Sequence, residues 1–150
     1  MSENNGKKPV IMVVDDDEMN LQMALFILQK EMDAEIVLAN SGYRCIELLQ
    51  QKVMPDVILL DIQMPRMDGI KTLETIRGHQ EWKKIPVIFL TATADKNTVI
   101  QAGRLKVDDY IKKPFMPADL VERVNKVLAL KKMDDPNLAA IFAELDKLGK

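Results

Sequence analysis

After the initiator, the first eight residues hold no apolar side chain, and from Pro9 the pattern changes abruptly. Four short apolar runs follow, at 10–14, 35–39, 57–60 and 87–90, with a weaker fifth at 109–112. Runs this short and continuous suit strands covered on both faces, the mark of a parallel sheet. Between them the period changes. Leu21, Leu25 and Leu28, then Ile46 and Leu49, then Ile70, Leu73 and Ile76 recur at helical spacing. Leu120, Val124 and Leu128 mark another helix, with Pro117 suited to its first turn. The segment 95–104 gives the weakest helical signal, because Val99 and Ile100 have few apolar companions, and it is the expected mobile element. Five strand-then-helix alternations predict an α/β fold: a five-stranded parallel sheet, doubly wound, with helices on both faces.

The pattern divides the chain into a polar leader at 1–8, a domain at 9–130 and a tail at 131–150. In the tail, 131–135 is a charged joint, and Pro136 starts an extra C-terminal amphipathic helix carrying Leu138, Ile141, Phe142, Leu145 and Leu148. With 150 residues, 47% hydrophobic and 29% charged, the composition suits one domain that folds in water. A net charge of -2 supplies no basic field for nucleic acid. Cys45 is the lone cysteine and no signal peptide precedes the first strand, which suits a cytoplasmic protein. No apolar run approaches the roughly 20 residues that span a bilayer.

Ligands of open parallel sheets bind beyond the carboxyl ends of the strands, so those ends are where chemistry is sought. The first strand runs into Asp15, Asp16, Asp17 and Glu18, whose mutual repulsion raises their pKa values unless a cation lies among them. Capping of a helix N-terminus explains such a cluster when it stands alone. It does not stand alone, because the third strand ends at Asp61 and the predicted strand order brings that carboxylate alongside. A few carboxylates with room for water and phosphate suit Mg²⁺ better than Ca²⁺. The fourth strand ends in Thr91 and Ala92, and Lys113, Pro114 and Phe115 follow the fifth. A metal, a lysine, a hydroxyl and a carboxylate nucleophile together make a phosphoryl site.

Val13, Val14, Asp15 and Asp16, the segment 56–69, residues 86–92, and the pairs Asp109–Tyr110 and Lys113–Pro114 resemble the receiver domain of two-component response regulators. The spacing fits as well, with Thr91 lying 30 residues and Lys113 52 residues after Asp61. The resemblance covers about residues 9–130 and implies a flavodoxin-like fold of receiver type. It implies Asp61 as phosphoacceptor, with Lys113 and Thr91 as its catalytic companions. It further implies Mg²⁺ held by Asp15, Asp16, Asp61 and the main-chain carbonyl of Gln63, with Asp16 the direct ligand and Asp15 acting mainly through water. Thr91 and Tyr110 match the switch pair. Gln63, Ala92 and Thr93 occupy positions that tune the lifetime of the phosphoryl group, and none is a carboxylate able to activate water. Slow to moderate self-dephosphorylation is therefore expected. A cis peptide is expected between Lys113 and Pro114.

The implied partners are a sensor histidine kinase or histidine phosphotransfer protein as donor and a downstream protein target, with no direct nucleic-acid or membrane binding and with a homodimer left open. The implied role is a signalling switch, not an enzyme, that assists its own phosphorylation and dephosphorylation. A single-domain regulator is favoured over the N-terminal receiver piece of a longer one. Lys106 and Val107 stand where receivers usually have Gly-Ala, so the preceding helix is expected to close differently. Pro65 and Gly69 shape the loop after Asp61, and Asp68 caps the next helix. His79 has no metal-ligand companions, while Trp82 and the methionines are packing residues. A haloacid-dehalogenase-type phosphohydrolase is the rival of another class, although its Asp-x-Asp-x-Thr/Val motif is incomplete in residues 15–19. A flavin or nucleotide module lacks its Gly-rich cradle.

Overall fold

The computed structural model describes residues 7–92 and 95–133. Five strands and five helices alternate: β1 Val10–Val14, α1 Glu18–Glu31, β2 Glu35–Ala39, α2 Gly42–Gln50, β3 Val57–Asp61, α3 Gly69–Gly78, β4 Val87–Thr91, α4 Lys96–Arg104, β5 Asp109–Lys112 and α5 Pro117–Met133. All pairings are parallel, in the order β2-β1-β3-β4-β5. The apolar runs therefore fall where the strands are. β1, β3 and β4 are central and buried almost throughout, as their uninterrupted runs require. β2, expected to be covered on both faces, is an edge strand and only half-buried.

Side-chain alternation divides the core in two. On one face Met12, Val14, Ile58, Leu60, Val87 and Phe89 pack with Cys45, Leu48 and Leu49 of α2, Leu73 and Ile76 of α3, and Ala102 of α4. On the other, Ile11, Val13, Leu59, Ile88, Leu90 and Ile111 pack with α1 and α5. The buried edge of α1 is Leu21, Ala24, Ile27 and Leu28, and that of α5 includes Leu120, Val124 and Val127. Leu25, Ile46, Ile70 and Leu128, expected in the buried stripes, are only half-buried at their flanks. A helix wedged beside a neighbour buries a face wider than one i, i+4 row, and its small residues lie deepest.

Each helix start has a local cause. Asp17, Ser41, Asp68 and Asp95 sit at the N-caps of α1 to α4, their side chains accepting from backbone N–H groups in the first turn. The end of α4 corrects an expectation. It closes as a glycine-terminated helix would: Lys106 adopts φ 58°, its N–H reaches the Gly103 carbonyl, and the Val107 N–H reaches that of Ala102. α2 ends identically on Lys52 at φ 74°. α5 runs to Met133, so residues 131–133 of the expected joint are helical. Lys131 ties this end to the approach to β3 through Asp56 Oδ1 at 2.7 Å. Most of the polar leader, Thr93, and the tail helix expected from Pro136 lie outside the described residues.

Candidate functional site: an acidic hollow at the strand ends

Because all strands run the same way, their C-terminal ends collect at one edge, and the pairing of β1 with β3 sets Asp61 beside the acids that follow β1. A hollow of about 200 Å³ opens there, lined by Asp15, Asp16, Asp17, Asn20, Asp61, Gln63, Thr91, Ala92 and Lys113. Asp15 and Asp61 are buried and Asp16 is exposed. One carboxylate oxygen from each lies within 4.8 Å of the others.

Lys113 reaches back over this cluster, its Nζ 2.8 Å from Asp15 Oδ2 and 3.0 Å from Asp61 Oδ1. The contact with Asp15 is an ion pair without good hydrogen-bond direction, since Oδ2 has no well-angled partner among the described residues. Asp15 Oδ1 accepts from the Asp17 N–H at 2.9 Å, which orients that carboxylate. Burial pushes the Asp61 carboxyl up to about 6 from its ordinary 3.8, and Asp15 adds to the rise. Lys113 and the Gln63 N–H oppose it. For Lys113, burial alone would lower the pKa, but its contacts with Asp15 and Asp61 outweigh this and hold it above the ordinary lysine value. The hollow thus concentrates more negative charge than its one lysine offsets.

The loop after Asp61 is held close to the strand end. The Gly69 N–H donates to the Ile62 carbonyl at 2.7 Å, and a methyl group on Gly69 would overlap the Asp61 main chain. Asp68 caps α3 by accepting from the Lys71 N–H at 2.8 Å. On the other side of the site, the Lys113 N–H donates to the Thr91 carbonyl at 2.9 Å, and the Lys113–Pro114 bond is cis. Tyr110 pairs in register with Phe89, their ring centroids 6.3 Å apart. Since Phe89 and Thr91 alternate to the same face, Tyr110 and Thr91 share it. Burial raises the Tyr110 hydroxyl above its ordinary value.

Of the residues singled out from sequence, Asp15, Asp16, Asp61, Gln63, Thr91, Ala92 and Lys113 line one hollow, with Tyr110 two strand positions from Thr91's neighbour on β5. Asn20 also lines it; lying in the first turn of α1, past the strand end, it gives no strand-end signal in the sequence. The methionines are not all packing residues, because Met19, Met23, Met54 and Met116 are exposed. His79 stacks on the buried Trp82, centroids 3.6 Å apart.

Strand order and strand-end carboxylates define a class of protein, and comparison with known sequences names it. Residues 11–125 match the response regulator receiver domain family, and the chain belongs to it. It is 37% identical over 131 residues to hybrid signal transduction histidine kinase D of Dictyostelium discoideum, and 37% identical over 123 residues to regulatory protein AtoC of Escherichia coli K12. Those alignments cover 87% and 82% of this chain but only 8% and 26% of the relatives, which are far longer. Among solved structures, chemotaxis protein CheY4 of Vibrio cholerae aligns with TM-score 0.75 at 26% identity, covering 81% of this chain and 99% of that one. The N-terminal domain of a response regulator receiver protein from Methanoculleus marisnigri JR1 aligns with TM-score 0.65 at 36% identity, covering 80% of this chain and 96% of that one. The chain is therefore a receiver domain of two-component signalling, and the haloacid-dehalogenase reading finds no support. No described helix is long and apolar enough to cross a membrane.

Proposed function

We propose that this domain takes a phosphoryl group from a phosphohistidine of a sensor histidine kinase or phosphotransfer protein onto Asp61. The phosphorus–nitrogen bond breaks as a phosphorus–oxygen bond forms on the carboxylate, and the departing imidazole regains its electron pair and takes a proton from solvent. The observation that carries the reading is the convergence of Asp15, Asp61 and Lys113, an excess of carboxylate around one nucleophile that lines an open hollow.

The all-oxygen donor set fits a hard divalent cation. Asp15, Asp16, Asp61 and the Gln63 carbonyl would hold Mg²⁺, which supplies charge neutralisation for the phosphoryl oxygens. Lys113 binds the same oxygens and Thr91 donates a hydrogen bond to one, so both are drawn toward Asp61 once it is modified. Tyr110 follows Thr91 on their shared face, and the α4–β5 surface changes for a downstream protein target. Exposed Met19, Met23 and Phe26 form a stripe down α1 from the rim of the hollow, which supports a protein as donor rather than a small phosphate ester. Gln63 and Ala92 bring no carboxylate to the rim, which supports slow to moderate self-dephosphorylation. The domain acts in the cytoplasm as a switch that assists its own modification, not as a turnover enzyme.

The test is phosphate incorporation from acetyl phosphate. Wild type should label only with Mg²⁺ present, and Asp61→Asn should not label. Undiminished, Mg²⁺-dependent labelling of Asp61→Asn refutes the assignment.

A further inference from the structure

Among the described residues, α4 is packed on the core at its C-terminal end. Along Lys96–Arg104 only Ala102 is buried, whereas Val99 and Ile100 are exposed. Just past the last turn, Leu105 and Val107 pack against the core of that face. The left-handed Lys106 then turns the chain back so that two N–H groups close onto the helix.

The lock on this end comes from α3. Arg77, in the last turn of α3, donates through Nε to the Leu105 carbonyl at 2.8 Å and through Nη2 to the Lys106 carbonyl at 3.0 Å. Its Nη1 donates to the Ile85 carbonyl at 2.7 Å and the Lys83 carbonyl at 3.2 Å. Nη2 also lies 3.4 Å from Asp108 Oδ2, and that oxygen accepts from the Val87 N–H at 2.8 Å. One side chain, 13% exposed, thus gathers the approach to β4, the end of α4 and the approach to β5. A guanidinium does this because its five donors are fixed in one plane; an ammonium has three on a single point. Main-chain carbonyls in such partly buried turns are costly to leave without a donor, so this end resists displacement. Among the described residues, those at the Lys96 end are not buried.

We propose that Arg77 is a positioning residue that makes the C-terminal end of α4 a fixed pivot, so that phosphorylation displaces the Lys96 end while residues 105–108 stay in place. The inference deepens the reading of Asp61 as phosphoacceptor and rests on it for the phosphorylated state, but the clamp itself can be tested without phosphate.

Amide hydrogen exchange of the full chain, read by mass spectrometry over 95–101 and 102–108 with and without acetyl phosphate and Mg²⁺, decides it. In wild type, phosphorylation should change exchange over 95–101 and leave 102–108 within about twofold. Unphosphorylated Arg77→Met should exchange roughly tenfold faster over 102–108 with little change over 95–101, and its response to phosphorylation should spread into 102–108. Arg77→Lys, which keeps the charge without the planar fork, should behave like Arg77→Met. Equal responses of the two segments in wild type overturn the pivot, as does an Arg77→Met protein whose 102–108 exchange is unaltered. Intact mass reports the phosphoryl adduct separately. Its absence counts against the Asp61 reading, and exchange in the unphosphorylated proteins still decides the clamp. Should Arg77→Met fail to fold, Asp108→Asn removes one charge of the same cluster and should show the same selective acceleration in weaker form.

Discussion

Replacing Asp61 by Asn should stabilise the protein at neutral pH while abolishing its phosphorylation. The carboxyl group titrates at about 6 in the fold against an ordinary 3.8, because burial and Asp15 disfavour its charge. A group that holds its proton more tightly folded than unfolded penalises the ionised folded state, so stability falls as pH rises from 3.8 to about 6 and is flat above. That interval corresponds to about 3 kcal/mol at about 1.36 kcal/mol per pH unit, a ceiling that solvent at the mouth of the hollow reduces. Asn keeps the shape and loses the charge. Urea denaturation followed by circular dichroism, without divalent ions, should therefore find Asp61→Asn more stable than wild type by about 1–3 kcal/mol at pH 7.5. At pH 4.5 wild-type Asp61 is protonated in the fold, and the difference should shrink to about a third. Added Mg²⁺ should raise wild type by about 1–2 kcal/mol when in roughly tenfold excess over its dissociation constant, and Asp61→Asn by less. A difference below about 0.5 kcal/mol at pH 7.5, or one that does not shrink on acidification, refutes the account of a charge-strained hollow.

Lys113→Met removes the contacts at 2.8 and 3.0 Å and leaves two buried carboxylates facing each other. Without divalent ions at pH 7.5 it should lose about 3 kcal/mol by urea denaturation; a loss under about 1 kcal/mol means the lysine is not their principal counter-charge. Lys52→Gly and Lys106→Gly relieve left-handed residues at φ 74° and 58°. Each should gain about 0.5–1 kcal/mol, a rise of about 2–4 °C in thermal midpoint, because the cost of the left-handed side chain exceeds the extra unfolded-state freedom of glycine. A fall in midpoint for both would show that the two lysines hold their turns by side-chain contacts rather than despite them.

How far the sequence foretells this molecule depends on where the information lies. The central strands are legible because the runs at 10–14, 57–60 and 87–90 are apolar on both sides of the pleat, as strands covered on both faces require, whereas the edge strands β2 and β5 are only partly buried. The hollow is legible for the same topological reason, since Asp15, Asp61, Thr91 and Lys113 each end or follow a strand and parallel strands end together. Burial within α1 is less so, because Ala24 is fully covered while Leu25 is not, and that depends on how the helix is seated against the sheet and α5 together. Arg77 is not legible at all. Apart from the longer contact to Asp108, its partners are the carbonyls of Leu105, Lys106, Ile85 and Lys83, and a carbonyl acceptor leaves no trace in residue type. The Lys106 turn misleads for a related reason: the closing hydrogen bonds and the clamp together tolerate a backbone conformation that the side chain alone disfavours.

The parity of the strands explains why a switch is needed beside the site. Ile11 and Val13 lead to Asp15, Leu59 to Asp61 and Ile111 to Lys113, so the charge cluster continues the side of the sheet that α1 and α5 cover. Thr91 continues the opposite row through Phe89, and Tyr110 lies on that row too, beside the helices α3 and α4. On the proposed function, a change of charge at Asp61 would arise on one face and be read on the other. At the strand edge the two rows come together, and the Lys113 N–H donates to the Thr91 carbonyl at 2.9 Å there. Motion of the Lys113 side chain toward a modified Asp61 would act on a residue whose main chain is tied to Thr91. The far end of α4 is held by Arg77, and among the described residues the start of α4 is the less buried end, so a displacement of the β4–β5 edge would fall on that start.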